Sequence, residues 1–280
     1  MNSSSILLVD IGNTSTHLAL ARGGRFMDVR RVPSRAQTRA AVRALLRACK
    51  RRHGIDGAVL CSVVPRLGGI WSDELEKVSG GKVLPLNHKL KLGIQINYPN
   101  PASIGADRLA NAAGAHEKYG APVIVMDFGT ALTFDIVSSG GFYEGGIILP
   151  GPMLFAGYLA EKTALLPRLP FPSVRGAMSA KGKPPLIGKN TKQAMLAGLR
   201  YGCLGMVREI AASLKREKGL RGARLCATGG YAAIVLVGSG LGIAIDPFLT
   251  LRGLERIYRL NFPAKSAPPA AGIPPSGKLS

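Results

Sequence analysis

The sequence is short of the features that mark several protein classes. It has four cysteines in 280 residues, Cys49, Cys61, Cys203 and Cys226, with no C-x-x-C pair and no histidine at zinc-ligand spacing. That excludes a disulfide framework and a structural zinc site, and reduced thiols of a cytoplasmic protein are expected. No export leader is evident: the first apolar run, Ile6-Leu7-Leu8-Val9, is too short and stops at Asp10. No membrane span is expected either. The long uncharged stretch 226–245 is broken by Gly229, Gly230, Gly238, Gly240 and Gly242, and by Thr228 and Ser239. It reads as a turn, a short helix and a buried strand. Neither G-x-x-x-x-G-K-[ST] nor a strand-capping G-x-G-x-x-G occurs, so nucleotide binding would need another device. Acids are scarce, 16 against 37 basic residues, giving a net charge of +21 and a pI near 10.4. Such a balance bears on solubility and anionic partners, not on fold.

Apolar residues make up 46% of the chain and charged residues 19%. That suffices for a sizeable core and excludes disorder of the whole chain. The length fits one large domain or two modest ones. The run 6–9 ends in Asp10-Ile11-Gly12-Asn13-Thr14. Thr16, Leu18 and Leu20 then alternate with Ser15, His17 and Ala19, which predicts a strand returning from a tight turn. Over 37–52 the spacing is helical, with Val42, Leu45, Leu46 and Cys49 on one face and Arg39, Arg43, Arg47 and Arg51 along a basic flank. A strand is predicted over 57–64, ended by Pro65. An extended turn over 97–101 and an alanine-rich helix over 104–119 follow.

A second cycle copies the first. The run 123–126 meets Asp127-Phe128-Gly129-Thr130-Ala131, followed by an alternating strand over 132–136. Two such patterns heading successive halves predict an internally duplicated α/β fold. Beyond them are expected a glycine-rich turn over 140–151, a helix over 154–165 and a proline- and lysine-rich loop over 167–185. A helix from 191 to about 218, a strand over 225–230 ending in Gly229-Gly230, and a disordered tail over 263–280 complete the reading.

One Asp-x-Gly hairpin alone is ordinarily a structural turn; a pair of them can hold nucleotide. Glycine lets backbone N–H groups approach phosphate oxygens. Thr14 and Thr130 add hydroxyl donors, and Asp10 and Asp127, at strand ends, can hold hydrated Mg²⁺ or another cation against the phosphates. Thr228-Gly229-Gly230 offers a third glycine turn able to abut an adenosine. Asp107, followed by Arg108 at a helix start, reads either as an acid suited to the helix dipole or as a carboxylate that takes a hydroxyl proton.

These residues carry a resemblance. The stretches DIGNT (10–14), NYPNPASIGADRLANAAGA (97–115), DFGTALTFD (127–135), GGIILPG (145–151), IGKNT (187–191), ATGG (227–230) and LTLRGLERI (249–257) resemble the type III pantothenate kinases. That family lies within the acetate kinase, sugar kinase, Hsp70 and actin superfamily. The resemblance implies a duplicated, two-lobed, ribonuclease H-like (actin-like ATPase) fold, with lobes over 1–118 and 119–262. It also implies transfer of the ATP γ-phosphoryl group to the primary hydroxyl of pantothenate, the first step of coenzyme A biosynthesis, with Mg²⁺ and K⁺ or NH₄⁺, by a homodimer whose substrate pocket draws on both subunits. Asp107 matches the general base and Asp127 the monovalent-cation ligand. Asp10, Ile11, Gly12, Asn13, Thr14, Ser15, Thr16, His17 and Thr130 match the ATP site. Tyr98, Gly105, Ala106, Asp107, Arg108 and Thr191 match the pantothenate pocket. The chain departs from the family at His17, where Lys or Arg is usual, at Leu132 and at Tyr231.

The charge raises a different reading. Residues 22–52 hold eleven arginines and lysines against one acid, Asp28, enough for non-specific phosphate binding. They lack interleaved aromatics, so a solvated basic face is expected and nucleic acid is not. A catalytically inactive homologue with an accessory role would be expected to have lost Asp10, Asp107 and Asp127, which are all present.

Overall fold

The computed structural model describes residues 4–80 and 82–263. The first apolar run and its return form a meander, β1 (Ile6–Ile11), β2 (Ser15–Arg22) and β3 (Arg25–Pro33). Helix α1 (Arg39–His53) starts where the Thr38 hydroxyl accepts from the Ala41 amide and ends at Gly54. It leads to β4 (Gly57–Ser62), helix α2 (Pro65–Ser79), β5 (Val83–Pro85) and β6 (Gln95–Ile96). Then come α3 (Ala106–Tyr119), a second meander of β7 (Val123–Phe128), β8 (Ala131–Val137) and β9 (Phe142–Pro150), and helices α4 (Pro152–Lys162), α5 (Phe171–Met178) and α6 (Thr191–Arg216). Strand β10 (Arg224–Thr228), α7 (Ala232–Leu236), β11 (Ala244–Ile245) and α8 (Leu249–Asn261) complete the chain.

The duplication predicted from the two Asp-x-Gly patterns is visible in the sheets. The first has strand order β3-β2-β1-β4-β5 and the second β11-β10-β7-β8-β9-β6. Read from the meander, both run third, second, first, fourth, fifth, with β6 added in parallel beyond β9. Meander pairs are antiparallel and the others parallel in both sheets.

Alternation sorts each strand's side chains onto two faces. On one face of the first sheet, Leu7, Val9 and Leu60 bury against Val42 and Leu46 of α1 and Leu67, Trp71 and Leu75 of α2. The other face, Leu8, Val59 and Cys61, shares a core with the alanines of α3, with Leu254 and Ile257 of α8, and with Val123, Val125 and Cys226 of the second sheet. The second sheet's far side, Met126, Phe128 and Phe134, packs on α4 to α7. The result is five layers, helices–sheet–helices–sheet–helices. The α3–α8 layer is thin because glycine lines it: a Cβ on Gly253 would collide with the Ala110 carbonyl oxygen.

Three segments differ from the sequence reading. Pro65 does not merely end a strand; it opens α2, at the first-turn position where its missing N–H costs nothing. The glycine-rich stretch expected as a turn is mostly the nine-residue β9, held by its ladder to β8. The 167–185 loop contains α5. Stretch 226–245 divides into β10, α7 and β11 as expected, and no described helix is long and apolar enough to cross a membrane. The expected tail lies outside the described residues from 264 onward. Part of the basic run is consumed internally: Arg39 pairs with Asp73 (2.8 Å), Arg43 with the buried Glu74 (2.9 Å) and Arg30 with Asp28 (2.7 Å).

Candidate active site

The two Asp-x-Gly hairpins face each other across the cleft between the sheets. The Thr14 and Thr130 hydroxyls lie 2.9 Å apart, though 116 residues separate them. Asn13, Thr14 and Thr130 are exposed, and Gly12, Ser15 and His17 are partly so. Ile11 and Thr16 point the other way. Ile11 is buried against α1 and α2. The buried Thr16 hydroxyl accepts from Gln37 Nε2 (2.9 Å) and meets Ser34 Oγ (3.2 Å), which in turn donates to the Gly12 carbonyl (2.7 Å). Trp71 Nε1 closes this chain by donating to Gln37 Oε1 (2.7 Å). A satisfied polar network therefore fixes the hairpin from beneath.

Three carboxylates converge on the cleft. Asp10 and Asp127 are the penultimate residues of β1 and β7, and Asp107 sits in the first turn of α3. Burial, then the charges of Asp107 and Asp127, push the Asp10 carboxyl up to about 7. Burial, with Asp107 adding to it, pushes Asp127 up to about 6, against the hydrogen bond from Asn111. Asp107 is raised chiefly by burial; its Oδ1 accepts from the Arg108 amide (2.8 Å). Burial is the first cause in all three, and it favours the neutral acid over the charged carboxylate.

Asn111, one turn along α3 from Asp107 and buried, spans two elements. Its Nδ2 donates to Asp127 Oδ2 (2.9 Å) and its Oδ1 accepts from Thr250 Oγ1 of α8 (2.7 Å). Gly229, at φ +91°, lies over Asp127, and a Cβ there would strike Asp127 Oδ1 and the Phe128 carbonyl. Only glycine allows the third turn to close on the carboxylate.

Beside Asp107, Arg108 Nε donates to Asp135 Oδ1 (2.7 Å) and Nη2 to the Phe134 carbonyl (3.3 Å). Asp135 is fully buried and also accepts from the Tyr143 hydroxyl (2.9 Å). The Tyr98 ring stands 6.5 Å from that of Tyr143 and is partly exposed. Gly105 caps α3 and Ala106 begins it. Tyr98, Gly105, Ala106, Asp107 and Arg108 thus line one side of the cleft. Thr191 does not join them: it begins α6, whose helical neighbours are α4 and α5, and no hydrogen bond among the described residues links it to α3.

The sequence reading did not single out Asn111, Thr250, Asp135, Tyr143 or Arg31. Four of them lie in or beside motifs it quoted, but their pairings span 8 to 139 residues and have no local signature.

The chain matches the type III pantothenate kinase family over residues 6–213. It is 36% identical over 265 residues to a type III pantothenate kinase of Dehalococcoides mccartyi, covering 92% of this chain and 99% of that protein. The chain belongs to the type III pantothenate kinase family. Its fold is that of the actin-like ATPases. It superposes on component A of (R)-2-hydroxyglutaryl-CoA dehydratase from Acidaminococcus fermentans with a TM-score of 0.55, at 14% identity, covering 91% of this chain and 96% of that one. MreB 5 of Spiroplasma citri bound to AMPPNP gives a TM-score of 0.50 at 10% identity, covering 91% and 96%.

Proposed function

We propose that the protein phosphorylates pantothenate at its primary hydroxyl, with ATP held between the two Asp-x-Gly hairpins and Asp107 accepting the hydroxyl proton. One observation carries the assignment of roles: Asp107 lies within electrostatic range of both Asp10 and Asp127 while belonging to the same helix turn as Arg108. Phosphoryl transfer needs positioning, charge neutralisation and a carboxylate near the nucleophile; the hairpins would position the phosphates and Asp107 would be the carboxylate, with neutralisation left to bound cations and arginine. Asp107, with its pKa raised by burial, is a better proton acceptor than a solvated carboxylate. Arg108 is held by Asp135 and Phe134 through Nε and Nη2, which leaves Nη1 for the acid end of the substrate. Tyr98 would wall the chain of the pantothenate, with the buried Tyr143 packed behind it.

The donor set also fits cations. Asp10 and Asp127 present hard oxygen ligands near the ends of the facing strands β1 and β7. Among the described residues no three His, Cys, Asp or Glu side chains form a metal cage by themselves. Asp127 would hold K⁺ or NH₄⁺, and Asp10 would hold hydrated Mg²⁺ with phosphate oxygens completing its shell. Such ions neutralise the polyphosphate as charge moves to the leaving group. The protein works as a homodimer in this reading. Leu154, Phe155, Tyr158, Leu186 and Ile187 are 39–72% exposed near α4 and the start of α6, an apolar surface suited to a second copy. Thr191, beside it, would serve the pantothenate pocket of the partner subunit. A cytoplasmic location follows from the substrates.

Asp107→Asn tests the central role. It preserves shape and hydrogen bonding, and kcat is expected to fall by about 10²–10⁴ with little change in either KM. Arg108→Ala should act mainly on the KM for pantothenate. A kcat within about threefold of wild type for folded Asp107→Asn would return Asp107 to a helix-start acid.

A further inference from the structure

The cleft-facing side of the first sheet carries a transverse row of side chains. Register pairs Cys61 of β4 with Asp10 of β1, Asp10 with His17 of β2, and His17 with Arg31 of β3. Directly opposed residues share a face. Arg31 is exposed, and its Nε donates to Ser15 Oγ (3.1 Å), the hydroxyl that also meets His17 Nε2 at 3.2 Å. Its guanidinium reaches the other half of the molecule as well. Nη1 and Nη2 lie 3.5 and 3.6 Å from the point a Cβ on Gly230 would occupy. One side chain therefore bridges the first hairpin and the Thr228-Gly229-Gly230 turn at the mouth of the cleft.

The surrounding charges give that bridge a purpose. Residues 10–17 and 127–136 contain no lysine or arginine. His17 is held neutral, its pKa lowered first by burial and then by Arg31 itself. Arg108 is committed to Asp135, and Arg30, next along β3, to Asp28. Among the described residues Arg31 has no carboxylate partner, whereas the cleft beside it gathers three aspartates. Among the described residues its guanidinium makes one hydrogen bond, to a neutral hydroxyl, so four of five guanidinium donors remain for planar, charge-assisted bonds to phosphate oxygens.

We propose that Arg31 binds the polyphosphate of the nucleotide, reaching over the first hairpin from β3 to supply the positive charge that both hairpins lack. The inference rests on the reading of this cleft as the ATP site. Its competitor is a purely structural one, in which Arg31 only braces the Ser15 turn.

Calorimetric titration of the full-length protein with adenosine, ADP and ATP separates the two. For Arg31→Gln, adenosine affinity should stay within about twofold of wild type while ADP and ATP weaken by about 10- to 100-fold, the usual worth of a charged hydrogen bond. The salt dependence of ATP binding should flatten. Arg31→Lys should fall between, keeping the charge without the fork. Because position 17 is directly opposite, adding His17→Arg to Arg31→Gln should restore at least part of the ATP affinity. Equal weakening of adenosine and ATP, or ATP binding unchanged in Arg31→Gln, would overturn the proposal while leaving the ATP site intact. Wild-type protein that binds no ATP would remove the nucleotide reading itself, and Arg31's role with it.

Discussion

Asn111 joins two parts of the candidate site by the opposite ends of one amide, and Asn111→Ala cuts both. The amide nitrogen is the hydrogen-bond donor that opposes the effect of burial on Asp127, whose carboxyl stands at about 6. A hydrogen bond to a charged group contributes about 1.5–3 kcal/mol, or about 1–2 pKa units. Its loss moves Asp127 to about 7–8. At pH 7 the ionised fraction falls from about 90% to between about 50% and 10%. The sign follows directly: an aspartate must be ionised to ligate a cation, so raising its pKa costs activity on the acid side and spares the alkaline side. The assay is kcat/KM for ATP at saturating pantothenate and K⁺ held below saturation, followed from pH 6 to pH 9. The variant should lose about two- to ninefold at pH 7 and recover most of it by pH 9. Thr250→Val, which leaves the Asn111–Asp127 bond in place, should shift the profile much less. A loss equal at every pH would refute the reasoning, because it would make Asn111 a packing residue only.

Other expectations follow from the same coordinates. Asp135→Asn leaves Arg108 partly buried without its counter-charge; thermal unfolding should show a loss of about 3 kcal/mol, and the KM for pantothenate should rise more than that for ATP. Gly253→Ala forces a methyl into the Ala110 carbonyl, so α3 and α8 must separate, at a cost of about 1–3 kcal/mol read as a fall in Tm. Without ligands, stability should decline as pH rises from about 4 to about 7. Asp10 and Asp127 bind protons in the folded state over a window where the unfolded chain has released them, so the unfolded state gains from each proton lost. His17 and His116, whose pKa values are lowered by burial, contribute with the opposite sign, so the test is the difference between variant and wild type. Asp10→Asn should gain stability relative to wild type as pH rises through this window, and a difference that does not change with pH would contradict the burial of Asp10 beside two other carboxylates.

The parts of the fold legible in the sequence were those fixed by neighbours in the chain. Each Asp-x-Gly turn and its returning strand declare themselves by alternation over a dozen residues, and the structure places both as expected. Strand β9 did not, because its glycines signal a turn locally while its pairing with β8 is what makes it a strand. Helix α2 had a readable signal in Pro65 and in the spacing of Leu67, Trp71, Leu75 and Val78, whereas α5, with Pro170 and Pro172 both at its start, read as loop. At the site, acids carried by motifs were identifiable, but the groups that hold them were not. Asn111 meets residues 16 and 139 positions away. Arg31 lay hidden in a basic run whose other members pair with Asp28, Asp73 and Glu74 or face solvent, so composition gave no reason to separate it from them.

The duplication also bears on the different tasks proposed for the two equivalent aspartates. The second sheet repeats the first row by register: Thr228 beside Asp127, Asp127 beside Thr133, and Thr133 beside Ile148. Position for position, Thr228 replaces Cys61, Thr133 replaces His17 and Ile148 replaces Arg31. Asp127 therefore sits among neutral hydroxyls with the Asn111 amide on it, surroundings that keep a carboxylate available to a weakly held monovalent ion. Asp10 has a guanidinium two strands away and no amide donor from α3. A multiply charged phosphate chain is better served by that arrangement, since an arginine can neutralise oxygens that the carboxylate alone would repel. Backbone order and register are the same in both halves, so the division of labour rests on three side-chain exchanges along one row.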